Sequence, residues 1–287
     1  MNPTTPTAPP SGPSDAAPAP LLAFVGGGNM ASAILGGLIA AGHPASRVVV
    51  VEPYAPQADI VREKFGVRVE TAGGAALAGA DIVVWAVKPQ VFGEAAAPCA
   101  PFVGAALHLS VMAGIRSDSI ARATGSERVV RAMPNTPALI GEGIAGLYAR
   151  AAVTSADRAA IERVLAPTGE TLWVARESDL DAVTALSGSG PAYVFFFLEA
   201  MMQAAADMGL DGEQGRRLAL ATFKGATSLA RASDEPPQTL RSRVTSKGGT
   251  TYAAIGAMEA AGVKPAIVQA LRAAQARAKE LGDEFGS

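Results

Sequence analysis

The apolar run Leu21-Leu22-Ala23-Phe24-Val25 leads straight into Gly26-Gly27-Gly28-Asn29-Met30-Ala31, and a helical pattern continues from Ala31 to Ala41. A strand, a glycine turn and a helix in that order open a doubly wound α/β sheet, and the spacing G-x-G-x-x-A assigns each small residue a task. Gly26 allows the tight turn, Gly28 lets the backbone approach a pyrophosphate, and Ala31 lets the helix close on the strand. The motif in this setting points to a bound dinucleotide, with Gly26, Gly28, Asn29, Met30 and Ala31 as its contacts.

Further strands are predicted at 47–52, 81–87, 106–111 and 128–133, with later candidates at 144–149 and 171–174 around a helix beginning near Ser155. Most of these runs are continuously apolar, the pattern of strands covered on both faces, and helical Ala-rich segments separate several of them. The expected architecture is therefore an N-terminal parallel, doubly wound sheet. After about Ser178 the strand signal stops, and helical patterns follow at 190–208, 211–231, 249–261 and 265–282. The chain divides, on this reading, into a Pro-rich tail over 1–20, a dinucleotide-binding domain over 21–178 and a helical domain over 179–287. The helices carry more apolar surface than one chain's core needs, so the helical domain is expected to dimerise.

Composition narrows the partners. The 287 residues are 49% hydrophobic and 17% charged, with a net charge of −2, and no basic run exceeds the pair Arg216-Arg217. No footprint for nucleic acid is present, and a small-molecule partner is expected. The longest apolar stretch, 192–202, is cut by Glu199 and is short of the roughly 20 residues that span a bilayer, so it reads as a buried helix rather than a membrane segment. Cys99 is the sole cysteine, which excludes an intrachain disulfide and a Cys-based zinc site; a small buried residue, a reducing cytoplasm and no metal are the expectations. Residues 1–20 hold seven prolines and no Lys or Arg, unlike a secretory or transit signal, and are expected to be disordered.

Three loops at carboxyl ends of strands are candidate ligand contacts, because open α/β sheets bind ligands at that edge. Glu52 closes the second strand where an acidic residue commonly binds the adenosine ribose, and its charge opposes a 2′-phosphate. Ala86-Val87-Lys88-Pro89 follows the strand 81–87, with Lys88 either solvated or a cofactor contact. In Met133-Pro134-Asn135-Thr136-Pro137 two prolines hold Asn135 in an extended loop facing nicotinamide or substrate. His43, at a helix end, reads as a capping or surface residue and His108, within a strand, as a satisfied core residue, which disfavours a His-based carbonyl reductase.

Two Ser/Thr/Gly clusters run into helical patterns: Leu186-Ser187-Gly188-Ser189-Gly190-Pro191-Ala192-Tyr193 and Val244-Thr245-Ser246-Lys247-Gly248-Gly249-Thr250-Thr251. Both read as helix N-termini whose amides and hydroxyls grip a small anion. Taken with G-G-G-N-M-A, A-V-K-P-Q and M-P-N-T-P, they give the span 21–281 motifs that resemble those of pyrroline-5-carboxylate reductase. The resemblance implies reduction of 1-pyrroline-5-carboxylate to L-proline, the last step of proline biosynthesis, by hydride transfer from NAD(P)H. It implies Thr251 as hydrogen-bond donor to the ring nitrogen. Val244 to Thr250 would lie around the substrate carboxylate, and Ser187, Gly188, Ser189 and Gly190 would complete the pocket. Lys247 stands where the family often has proline, so its ammonium either pairs with the carboxylate or points to water. The family implies NADPH, whereas Glu52 leaves NADH open. It also implies a homodimer with an active site at the interface, assembling further into a decamer.

Two other readings compete. One is another imine or β-hydroxyacid reductase of the same plan, for which Lys224 is the only mid-helix lysine that could imitate the required one. The other is a dinucleotide-binding regulator without turnover.

Overall fold

A computed structural model describes residues 18–285, so the expectation of a disordered tail falls, for residues 1–17, outside the described residues. Eight strands among them form one sheet: β1 Leu22–Val25, β2 Val48–Val51, β3 Arg68–Glu70, β4 Ile82–Trp85, β5 Leu107–Ser110, β6 Val129–Met133, β7 Gly143–Ala149 and β8 Gly169–Trp173. Their order is β3-β2-β1-β4-β5-β6-β7-β8. Every residue of β1, β2, β4 and β5 is buried, which is why β1, β2 and β4 are apolar without alternation, whereas β5 alternates its leucines with buried His108 and Ser110. Successive side chains enter opposite cores: Leu22 and Phe24 pack in one, Ala23 and Val25 in the other. The first core is closed by α1 (Asn29–Ala40), α2 (Ala55–Phe65) and α6 (Ser155–Leu165), the second by α3 (Phe92–Ala96), α4 (Ala100–Val103) and α5 (Ser117–Thr124).

The sheet departs from the sequence expectation twice. Strand β3 is additional; it is an edge strand of three residues whose only apolar one is Val69, too short to leave a pattern. Strand β7 runs antiparallel to β6, with Val130 opposite Ala149. Only the short turn Thr136–Ile140 separates these strands, and a parallel return needs a crossover of a dozen or more residues.

Beyond β8 the chain is helical: α7 (Asp179–Val183), a π turn (Thr184–Gly188), α8 (Gly190–Asp207), α9 (Gly212–Arg231), α10 (Pro237–Arg243), α11 (Thr250–Ala260) and α12 (Val263–Phe285). Helix α10 was not expected, since it holds seven residues between two loops. Helices α8 to α12 bury only Ala205, Gly215, Ala219, Ala278 and Gly282. The stretch 192–202 is therefore helical but not buried by its own chain: Phe195 is 58% and Phe196 71% exposed. Each such phenylalanine would gain about 1.5–3 kcal/mol on burial, so this face calls for a partner. Among the described residues no helix is long and apolar enough to cross a membrane.

Cys99 is buried as expected, its thiol donating to the Ala95 carbonyl at 3.2 Å, and burial pushes its pKa up to about 11, which leaves it unreactive. His108 is fully buried; its Nδ1 accepts the Trp85 indole N–H at 3.0 Å, while Nε2 makes no full hydrogen bond. Burial pushes its pKa down to about 4, against a partial offset from the Val103 carbonyl. A histidine held neutral in the fold costs stability once the unfolded chain can bind the proton. Stability is thus expected to fall as pH drops from about 6.5 to about 4, by on the order of 3 kcal/mol, and to level off below. Urea unfolding at pH 7.5 and pH 5 checks this, and His108→Gln should flatten the difference.

Candidate functional site

The chain leaves β1 toward β2 on one side and returns to β4 on the other, so β1 and β4 frame the switch point of the sheet. Gly26 lies there at φ +98°, and a Cβ on it would stand 2.6 Å from the Ala86 carbonyl oxygen. That glycine is demanded by the chain itself. Gly28 is different: its φ of −69° suits any residue, and a Cβ would meet nothing within 4 Å. Nothing in the chain requires a glycine here, and the open space lies at the N-terminus of α1. The N–H groups of Asn29, Met30 and Ala31 have no helical partners, since Ser32 is the first to bond back, to Gly28. A pyrophosphate fits this cradle in charge and in space.

Glu52 sits beside it. Its Oε2 accepts the Gly27 N–H and its Oε1 the Tyr54 N–H, both at 2.9 Å. The carboxylate therefore pins the glycine turn. Gln57, which the sequence reading missed, adds a bond of 2.6 Å to the Gly27 carbonyl. No motif marks a lone glutamine, so only the fold reveals it. Ala86 and Val87 are half-buried at the end of β4, and Lys88 is exposed, makes no ion pair among the described residues, and precedes the turn Pro89–Val91.

At the end of β6, Asn135 is 9% exposed and its Oδ1 accepts the Ile144 N–H at 3.0 Å. Asn135 and Pro137 line a cleft of about 990 Å³ together with Ser187, Gly190 and Pro191 and aromatic residues of α8. The structure thus brings the 133–137 loop and the first Ser/Gly cluster onto one cleft. A Cβ on Gly188 would stand 2.6 Å from Met133 Cε, so this glycine permits the close contact between the two.

The first cluster is not the free helix N-terminus that the sequence suggested. Helix α7 runs through the π turn into α8, the Ser189 N–H bonds the Thr184 carbonyl at 2.8 Å, and the Ser187 hydroxyl donates to the Val183 carbonyl at 3.1 Å. Pro191 has no N–H to continue the helical ladder, which favours the wider turn before it. The second cluster does begin a helix: Gly249 is the N-cap of α11, without a side-chain cap bond. Gly248 has φ +78° and turns the chain into it. Ser246, Lys247, Thr250 and Thr251 make no side-chain hydrogen bond among the described residues, and the Thr245 hydroxyl donates to the Arg241 carbonyl. Thr251 is half-buried; Val244 and Lys247 are exposed. None of residues 244–251 lines the large cleft. The π turn packs on α12, and α11 packs on α12 separately.

Of the other candidates, His43 closes α1 through its backbone N–H to the Leu38 carbonyl, while its half-buried ring leaves Nε2 without a partner. Lys224 is exposed on α9 and does not line the cleft. Among the described residues no three His, Cys, Asp or Glu side chains group to hold a metal ion.

A glycine cradle at the switch point of a Rossmann sheet, with a helical half beside it, defines a two-part nicotinamide-dependent oxidoreductase. Residues 177–281 match the family model for pyrroline-5-carboxylate reductase dimerisation, and residues 21–114 that for NADP oxidoreductase, coenzyme F420-dependent. A pyrroline-5-carboxylate reductase of Pseudomonas aeruginosa is 42% identical over 93% of this chain and 98% of its own, and that of Escherichia coli 34% over 91% and 97%. The structure of a Coxiella burnetii pyrroline-5-carboxylate reductase superposes with a TM-score of 0.85 at 35% identity, covering 92% of this chain and 98% of that one. A Plasmodium falciparum pyrroline carboxylate reductase with NADP bound gives 0.83 at 29%, covering 92% and 99%. The chain belongs to the pyrroline-5-carboxylate reductase family.

Because a side chain at position 28 would meet no atom of the chain but would enter the cradle, Gly28→Val is expected to lower the melting temperature only by the small cost of a poorer N-cap and to weaken binding of the reduced dinucleotide at least tenfold, the loss of about 1.4 kcal/mol. Titration by nicotinamide fluorescence measures it.

Proposed function

We propose that this chain reduces 1-pyrroline-5-carboxylate to L-proline with NAD(P)H, in the cytoplasm, as a homodimer. The observation that carries this reading is the uncommitted hydroxyl of Thr251 in the first turn of a glycine-opened helix, in a chain whose fold supplies a dinucleotide cradle. When bound, the reduced nicotinamide supplies the hydride. A cyclic imine accepts it at the ring carbon while its nitrogen takes up a proton, which needs no strong enzymic acid, so the protein's tasks are to hold the carboxylate, orient the C=N bond and donate to the nitrogen of the neutral imine.

The N–H groups of the first turn of α11 and the flanking residues Ser246, Gly248 and Gly249 suit the carboxylate, with Val244 and Thr245 leading in. Lys247 adds a positive charge to the same turn. Thr251 donates to the ring nitrogen, and Ser187, Gly188, Ser189 and Gly190 form the facing wall, beside Asn135. Since residues 244–251 do not line the cleft that holds Ser187, the second cluster is supplied by a second copy, whose helices also cover the exposed face of α8. Assembly of such dimers into a decamer extends the reading by family resemblance. The cofactor contacts we assign are Gly26, Gly28, Asn29, Met30, Ala31, Glu52, Ala86, Val87, Lys88, Pro89 and Asn135. NADPH is the donor assigned by family, and NADH is the alternative that Glu52 favours.

Purified protein with 1-pyrroline-5-carboxylate is expected to oxidise NAD(P)H, read as loss of nicotinamide absorbance; no oxidation with either donor would sink the assignment. Thr251→Ala should fold and bind dinucleotide normally while turnover falls roughly 10- to 1,000-fold, the scale of one hydrogen bond made in the transition state. Glu52→Gln keeps an acceptor for the glycine turn and removes the charge, so the NADPH/NADH ratio of kcat/KM should rise about tenfold, equal to about 1.4 kcal/mol. An unchanged ratio would take Glu52 away from the ribose.

A further inference from the structure

Between β8 and α7 the chain passes from the sheet half to the helical half, and Glu177 lies in that passage. Its Oε1 accepts the Ser117 backbone N–H at 2.6 Å and Arg131 Nη1 at 2.8 Å, and its Oε2 accepts the Ser117 hydroxyl at 2.7 Å. Ser117 begins α5 and Arg131 stands in the middle of β6, so three donor groups of two residues from the sheet half hold one carboxylate. Arg131 is only 5% exposed, and its Nε has no hydrogen-bond partner. Burial pushes the Glu177 carboxyl upward, yet the Ser117 hydroxyl and amide together with Arg131 hold it below its ordinary value, so it is ionised at neutral pH.

A second clamp adjoins the first. Arg116 reaches both carboxylate oxygens of Asp181 on α7, at 3.3 and 3.4 Å, and Asp283 on α12 at 3.8 Å. A side chain at position 282 would overlap the Arg116 guanidinium, so Gly282 lets it lie against the helix. On the same loop Gly114, at φ +78°, would bring a Cβ to 3.2 Å from the Leu281 carbonyl and 3.3 Å from the Phe285 ring. The end of α12 is thus seated on the sheet half by close backbone approach.

Removing an arginine from water is costly, and an apolar pair of similar volume is often as stable as a buried ion pair. What the ion pair adds is direction, because the Glu177 oxygens must meet Ser117 and Arg131 together. The direction matters at one place: Arg131 lies two residues before Met133, whose methyl touches the backbone at Gly188. The strand that grips the passage also carries the loop facing the cofactor, and the helix that follows Asp181 carries the 187–190 wall.

Building on the reductase reading, we propose that Glu177 is a positioning residue: held by Ser117 and Arg131, it fixes the angle at which the helical half presents the 187–190 wall to the cofactor edge. It touches no reacting atom. Its loss therefore leaves the dinucleotide cradle intact and spoils alignment, where a misplacement of about 1 Å costs about 100-fold.

The test uses the full chain with Glu177→Gln, Glu177→Asp and Arg131→Met. In variants that fold, affinity for the reduced dinucleotide should stay within about twofold of the parent, since the cradle is untouched. On the same alignment scale kcat should fall about 10- to 100-fold, and the primary isotope effect on kcat from deuterated nicotinamide should rise as hydride transfer becomes slower. Spin labels on α2 and α9, in protein diluted with unlabelled chain, should report one narrow distance in the parent and a broadened distribution in the variants. Folded variants with a lowered melting temperature but parental kcat, isotope effect and distance would make Glu177 a structural residue only and overturn the proposal. If Glu177→Gln does not fold, Glu177→Asp decides, since it retains the charge but shortens its reach. A parent protein inactive on the imine would remove the reductase reading, and the distance measurement would still decide whether Glu177 sets the angle.

Discussion

The sheet over residues 22–173 closes two cores by itself, one on each face, whereas α8 to α12 bury only five small residues. Water is excluded from the first half by the chain's own helices, whereas the second leaves its apolar face exposed. This division governs the rest. A rigid, self-sufficient half can hold a glycine turn in one geometry, and a half with an unmet apolar face calls for a partner. The site we propose across such an interface has one wall on the π turn and α8 and the other on the first turn of α11.

Each half leaves helix N-terminal amides free, by different means. At the cofactor edge, Glu52 and Gln57 hold Gly27 from both sides, leaving three amides of α1 directed at open space. At α11 the means is omission: Gly249 caps the helix without a side chain, and the threonine hydroxyls that follow are not spent on the backbone. Ser187 is spent in this way, on the Val183 carbonyl, where it lines the cleft. Where the halves meet, the charged clamp at Glu177 and Arg116 joins them at the strand end and loop that border the site.

Much of this was legible in the residues. The buried parallel strands were visible because burial on both faces removes polar alternation, and the long helices α8, α9, α11 and α12 because their length leaves many turns of pattern. Strand β3 and helix α10 escaped because three or seven residues do not establish a period. The antiparallel turn of β7 escaped because strand direction depends on the connection, which apolarity does not record. The stretch 192–202 was read as buried and is exposed in this chain, because composition records that a face is apolar and not whether the chain's own elements cover it. At the site, Gly26 and Gly28 were found by spacing, but their different reasons, backbone strain at one and vacant space at the other, needed coordinates.

The sequence by itself determined the strand-turn-helix that opens the sheet, the order of the ligand loops at its carboxyl edge and the presence of two Ser/Thr/Gly clusters, because these follow from local geometry and from which side chains water rejects. Tertiary structure alone decided which clusters share a cleft, that Gln57 and Glu52 converge on Gly27, and that Glu177 meets Arg131 and Ser117 across separations of 46 and 60 residues. Contacts of that kind are made by the packing of distant elements, and no period or motif along the chain encodes the distance between them.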